Sequence, residues 1–372
     1  MLKRFKVTNF RGFENETVLD FSDSNSYAFH PECIRNGIVR CAIVHGLNGS
    51  GKSNLGLALF DIVEHLTDYK VIPDLYDNYL NANSDDSEAH FEYTFEFDGV
   101  EAVYSYTKSG YRVLTGENLT IDGKRVLHFD RHNGNESFET LLEGTSTLES
   151  KIDDPTLSML KYIRKNTQLP ASKENDTFKA LFDFVSNMLY FKSLDERYYI
   201  GRAPRNNNFL VDIISDGLVD DYCRFLNNAG IKCRLGVEKE GDKSIIVNRY
   251  KKKWLPLNQV WSTGTAALTL FYCWLQKIKQ DGIRFLFIDE YDAFYHFRLS
   301  KEIIRILRAS DVQFVLTTHN TANITNDLLR PDCYYIIDNA GIVSLSKRTP
   351  KELREAHNIE KMFKSGAFDC DE

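Results

Sequence analysis

Residues 46–53 read Gly46-Leu47-Asn48-Gly49-Ser50-Gly51-Lys52-Ser53, the pattern G-x-x-x-x-G-K-S. Its setting gives it meaning. Upstream, GIVRCAIVHG (37–46) is a β-branched apolar run that predicts a buried strand. Downstream, the apolar spacing predicts a helix from Ser53 to about Leu66. Between such elements a glycine turn lets successive backbone N–H groups wrap phosphate, and the helix N-terminus adds positive potential. Lys52 then reaches the β- and γ-phosphates and Ser53 ligates magnesium. Gly46, Leu47, Asn48, Gly49, Ser50, Gly51 and Asn54 complete the cradle, so the expected cofactors are ATP and Mg2+.

Far downstream, Phe285-Leu286-Phe287-Ile288-Asp289-Glu290 is an apolar strand ending in two acids, where ligands bind in an open α/β sheet. Asp289 is expected to hold the metal through water and Glu290 to polarise the attacking water. The strand VQFVLTT (312–318) delivers His319 to the same edge as a polar sensor of the γ-phosphate. The expected catalytic set is Lys52, Glu290 and His319, with Ser53 and Asp289 at the metal.

The rest of the chain falls around this core. Residues 2–10 and 16–21 alternate like two strands. From 91 to 129, short aromatic strands punctuated by Asp98-Gly99, Ser109-Gly110 and Asp122-Gly123 predict an antiparallel sheet. Residues 130–155 read as loop, and 156–166, 174–190 and 209–228 as helices around the polar stretch GRAPRNNN. Next come a hairpin at 231–250, helix 264–280, helix 299–309, helix 321–329 and strand CYYIID (333–338). Thr349-Pro350-Lys351-Glu352 reads as a capping box opening a C-terminal helical tail. The expected divisions are 1–150 and 231–346 as two parts of one core, 151–230 as a helical insertion, and 347–372 as the tail.

The net charge of −7 excludes a wholly basic nucleic-acid coat, but it averages two unlike parts. Residues 61–160 carry −14, so nucleic-acid contact is expected outside them. Two basic clusters, Lys161/Arg164/Lys165 and Arg249/Lys251/Lys252/Lys253 with Tyr250 and Trp254, are candidates for it, against the plainer reading of solvated faces. Seven cysteines without a C-x-x-C pair fit reduced thiols, and no apolar run is long enough for a membrane span. A cytoplasmic protein is expected, with no membrane partner.

The order phosphate loop, long insertion, Trp261-Ser262-Thr263-Gly264-Thr265, Asp289-Glu290, His319 resembles the ATP-binding-cassette ATPases, in the soluble branch that holds RecF, the SMC proteins and the overcoming-lysogenisation-defect proteins. FKVTNFRGFEN and GLNGSGKSN resemble that branch's opening, and SxGTxxL and KMFKSGAFD resemble the signature and tail of small abortive-infection ATPases. The likeness covers roughly 1–66 and 255–346. It implies a P-loop NTPase with an ABC ATPase-like α/β core, an antiparallel β-subdomain and a helical insertion. It also implies that Ser262 and Gly264 open helix 264–280 toward ATP held on a second subunit, so that a homodimer or higher homo-oligomer builds composite sites. Thr263 stands where the wider family has glycine.

Gln168 is the candidate for the family's coupling glutamine, and Arg11 for nucleotide or DNA contact, each against an ordinary loop residue. No long heptad arm is present, and about fifty residues after His319 are too few for an appended nuclease domain. The implied role is the sensor or regulatory ATPase of an antiviral, abortive-infection system with a separate toxin or nuclease effector. The competing role is a RecF-like repair ATPase acting directly on DNA.

Overall fold

Two seven-stranded sheets flank the helix Lys52–Leu66 in the computed structural model of the chain. The structure describes residues 1–69, 73–131, 137–149, 154–192, 199–201, 209–241, 243–293 and 297–368. Most of GRAPRNNN, the NGN of the 130–155 loop, and Cys370 lie outside them.

The core sheet runs, in spatial order, Tyr199–Gly201, Met188–Lys192, Phe285–Asp289, Gln313–Thr318, Cys41–His45, Tyr334–Asp338 and Gly341–Ser344. Its five inner strands are parallel and its two edges antiparallel. Burial on both faces explains their continuous apolar character: Cys41–His45, Phe285–Asp289 and Gln313–Thr318 have no exposed residue. Gln313–Thr318 lies between the phosphate-loop strand and the strand of the two acids, and so brings the three motifs to one edge.

The second sheet is antiparallel throughout, in the order Ser137–Thr140, Lys124–Asp130, Val113–Ile121, Val100–Gly110, Ala89–Phe97, Leu2–Thr8, Thr17–Asp20. Asp98-Gly99 and Asp122-Gly123 form two-residue turns with φ of 51°, 83°, 44° and 77°, as their sequences predict. The third turn differs: the strand runs on through Gly110 and turns at 111–112. The sheet seats on the phosphate-loop helix through buried groups. Tyr93 donates to the Ala58 carbonyl at 2.9 Å, and Lys108 (1% exposed) pairs with Asp61 (0% exposed) at 2.7 Å. Gln313 ties the first strand to the core by accepting from Leu2 N (2.9 Å) and donating to Leu2 O (2.8 Å).

Several local expectations are corrected. The helical reading of 174–190 fails at its end: the helix is Lys173–Ser186, and Met188–Lys192 is a core strand paired in parallel with Phe285–Asp289. The stretch 209–228 is two helices, Phe209–Ser215 and Val219–Asn228, broken at Gly217 with φ 68°. Ser137–Thr140 extends the antiparallel sheet within the segment read as loop. Residues 321–329 hold only the short 3-10 turn Thr321–Asn323. No helix opens at the capping box itself. Thr349 Oγ1 accepts from Lys351 N at 3.3 Å, and the tail helix is Ile359–Lys364, capped by Asn358.

Candidate nucleotide site

The phosphate loop joins Cys41–His45 to Lys52–Leu66, with Gly49 and Gly51 at φ 83° and 97°, where a side chain would strain the backbone. At Gly46 the reason for glycine is space: a Cβ would lie 2.4 Å from Ser50 Oγ and 2.6 Å from Ile337 Cγ2. Lys52 is buried and turns back on the loop, donating to Gly46 O at 2.8 Å and Leu47 O at 2.7 Å. Burial lowers its pKa, opposed by the charges of Asp289 and Glu290. Ser50 Oγ is buried in the loop without a partner. Leu47, by contrast, is 78% exposed.

Ser53, in the first turn of the helix, donates its hydroxyl to Asp289 Oδ2 at 2.7 Å. The other carboxylate oxygen accepts from Thr317 Oγ1 at 2.7 Å. Lys192 Nζ stands 3.5 Å from Asp289 Oδ2, and the Tyr190 hydroxyl lies at the same distance. Both come from the strand Met188–Lys192, whose first three residues sequence patterning reads as the end of helix 174–190. Glu290 follows Asp289 at the exposed edge with φ 50°, its amide donating to Thr317 Oγ1 at 2.8 Å. His319 is exposed at the end of the neighbouring strand. His45 Nε2 donates to its carbonyl at 3.1 Å, and burial holds the His45 pKa below its ordinary value.

Asp292 supports the same edge from below. Its carboxylate accepts from Thr318 Oγ1 at 2.8 and 2.9 Å and from Asn323 Nδ2 at 2.8 Å, and burial raises its pKa. Patterning singles out neither Asp292 nor Thr317, because their roles depend on which strands are neighbours.

Ser262 is the N-cap of the helix Thr263–Asp281, accepting from Thr265 N at 3.3 Å, and is exposed. Gly264 lies in that helix's first turn. Among the described residues no hydrogen bond joins Ser262 or Gly264 to the chain's own phosphate loop. Gln168 is exposed, with its carbonyl against Gly144. Arg11 has φ 52°, and its Nη1 donates to Leu75 O at 2.5 Å.

The two basic clusters differ. Lys161 and Lys165 pair with Asp68 at 3.0 and 2.7 Å, and Arg164 lies 4.6 Å over the Phe182 ring. Lys251, Lys252 and Lys253 are exposed at the turn between Lys243–Arg249 and Trp254–Pro256, and among the described residues they make no ion pair. Arg249 stacks 4.4 Å over Trp254.

The strand order and this constellation define a P-loop ATPase. Residues 41–324 match the family described as "AAA domain, putative AbiEii toxin, Type IV TA system", and the chain belongs to that family. No curated protein matches it. Among solved structures it is similar to the SMC head domain from Thermotoga maritima, with 16% identity over 92% of this chain and 98% of that one and a TM-score of 0.45. It is also similar to an SMC head solved bound to the C-winged helix domain of ScpA, with 14% identity, 93% and 98% coverage and a TM-score of 0.46. Among the described residues no helix is long and apolar enough to cross a membrane.

Proposed function

We propose that the chain hydrolyses Mg2+·ATP at a site completed by a second copy of itself, and serves as the regulatory ATPase of an abortive-infection system with a separate effector protein. The residues fit the nucleotide: Ser50 Oγ is an orphaned buried hydroxyl in a loop with no room for a Cβ at Gly46, and the Ser53 hydroxyl and Asp289 carboxylate converge. The bound nucleotide and metal supply the electrophilic γ-phosphorus and the charge neutralisation around it. Lys52 offers the full positive charge at the loop. Ser53 and Asp289 hold the cation. Glu290, on a backbone fixed by Thr317, accepts the proton of the attacking water, and His319 offers a polar side chain at the same edge.

The observation that carries the composite reading is the exposed N-terminus of the helix Thr263–Asp281, capped by Ser262 and unconnected to the chain's own phosphate loop. A 19-residue helix presents a strong anion site there. The exposed Leu47 gives a partner an apolar contact beside the nucleotide. The family description supports the abortive-infection role.

Mixing Lys52→Ala with Ser262→Arg subunits, co-expressed so that they exchange, tests the proposal. ATP on the second variant then meets the intact Ser262 of the first, and activity returns although each variant alone is inactive. A Ser262→Arg chain with full activity by itself sinks the composite site. Co-purification with the product of the adjacent gene tests the effector.

The unpaired Lys251–Lys253 turn favours a second reading, direct action on nucleic acid. Under it, DNA stimulates hydrolysis and Lys251→Glu/Lys252→Glu/Lys253→Glu removes the stimulation.

A further inference from the structure

Cys33, Cys41 and Cys333 are fully buried and Cys273 is 6% exposed, whereas Cys223 and Cys233 are free thiols with partial access to solvent. These two also stand together. Cys223 lies on the helix Val219–Asn228, and Cys233 follows the turn at Gly230, just before the strand Leu235–Glu240. Asn227 clamps them side by side. Its Nδ2 donates to Cys223 O at 2.8 Å and Cys233 O at 3.0 Å, while its Oδ1 accepts from Cys233 N at 3.3 Å. The same nitrogen is 3.5 Å from Cys223 Sγ and 3.6 Å from Cys233 Sγ, and Cys223 Sγ donates to Cys233 O at 3.6 Å.

We propose that Cys223 and Cys233 form a dithiol modification site, at which a hydroperoxide converts them to a reversible intramolecular disulfide. Cys223 sulfur attacks the peroxide; the O–O bond breaks, Cys223 becomes a sulfenic acid, and hydroxide leaves with the thiol proton as water. Cys233 sulfur then attacks Cys223 sulfur. The S–S bond forms, the S–O bond breaks, and the hydroxyl leaves with the Cys233 proton as a second water. Two electrons pass from the two sulfurs to one hydrogen peroxide. Desolvation, with the neighbouring Cys223 thiol second, pushes the Cys233 thiol up to about 12, so Cys233 is protonated at neutral pH and the first attack falls to Cys223.

The site has a mechanical address. On the same helix Asp221 accepts from Tyr272 OH at 2.7 Å, and the Tyr222 hydroxyl meets Thr269 Oγ1 at 2.5 Å; both partners lie on the helix that Ser262 caps. A crosslink here ties the helix Val219–Asn228, which carries these contacts, to the segment entering the strand Leu235–Glu240.

The test treats the full chain with hydrogen peroxide, alkylates it under denaturing conditions and maps the peptides. The expected result is a Cys223–Cys233 linkage with both residues protected from alkylation, the buried cysteines alkylated, and full reversal by dithiothreitol. Cys233→Ser should instead trap a dimedone-reactive sulfenic acid on Cys223. Alkylation of both residues after peroxide, linkage of either to another cysteine, or bridges between chains overturns the proposal. None of these readouts depends on nucleotide turnover, so they are separate from the tests of the ATPase site.

Discussion

The hydroxyl of Thr317 accepts the amide of Glu290 at 2.8 Å, and Glu290 is a residue held at φ 50°. A non-glycine residue in the left-handed region costs about 1–2 kcal/mol, so something nearby must hold it. Thr317 also donates to Asp289 Oδ1 at 2.7 Å, and one hydroxyl thus positions both acids. Thr317→Val keeps the shape and removes both bonds. The expected outcome is a kcat lower by roughly tenfold or more, KM nearly unchanged, and a stability loss of about 1–3 kcal/mol for the orphaned buried groups. Steady-state kinetics with urea unfolding checks it; wild-type kcat would make Thr317 a packing residue only.

Lys52→Ala and Glu290→Gln should separate binding from chemistry. The first removes the one full charge at the loop, and nucleotide affinity is lost. The second keeps Ser53 and Asp289, the proposed metal ligands, but cannot accept a proton, so ATP stays bound while hydrolysis slows by at least ~100-fold. Equilibrium nucleotide titration beside a turnover assay distinguishes them, and a Glu290→Gln chain that turns over normally removes Glu290 from the mechanism.

At Gly46 the prediction is steric. An alanine Cβ would sit 2.4 Å from Ser50 Oγ and 2.8 Å from Ile337 O, the latter backbone that cannot swing aside. Gly46→Ala should therefore distort the loop, weakening nucleotide binding strongly at an overpacking cost of about 1–3 kcal/mol in stability. Wild-type affinity in a folded variant contradicts the loop geometry.

What was legible in the sequence follows from what is local. The phosphate loop announces itself because glycine spacing, strand and helix adjoin, and the Asp-Gly turns fix their own dihedrals. Met188–Lys192 is hidden for the opposite reason. Four apolar residues and a lysine after an amphipathic helix fit either period, and only their pairing with Phe285–Asp289 makes them a strand. Lys192 and Tyr190 reach Asp289 through that pairing, and Thr317 through the neighbouring one. The capping box at Thr349 fails because Thr349 closes a short turn onto Lys351 while Leu353, four residues on, is buried against the core.

The buried imidazole of His65 makes stability depend on pH in a direction that can be worked out. His65 lies on the phosphate-loop helix, its Nε2 2.9 Å from the Tyr104 hydroxyl and its Nδ1 buried without a partner. Tyr104 OH donates to Glu117 Oε1 at 2.7 Å, so Nε2 donates its proton to the Tyr104 oxygen, and burial favours the neutral ring. Desolvation first, and the nearby Lys108 charge second, hold its pKa well below 6.5. Unfolded, the same ring titrates near 6.5. Below that value the unfolded chain therefore binds a proton that the native chain does not, and stability falls as pH drops, by up to about 1.4 kcal/mol per pH unit from this group. His45, lowered by burial, adds to the same slope. His65→Gln keeps an amide donor for Tyr104 but cannot titrate. Its unfolding free energy, measured in urea between about pH 7.5 and 5.5, should fall less steeply than that of the wild-type chain; equal slopes would mean that His65 protonates in the native state.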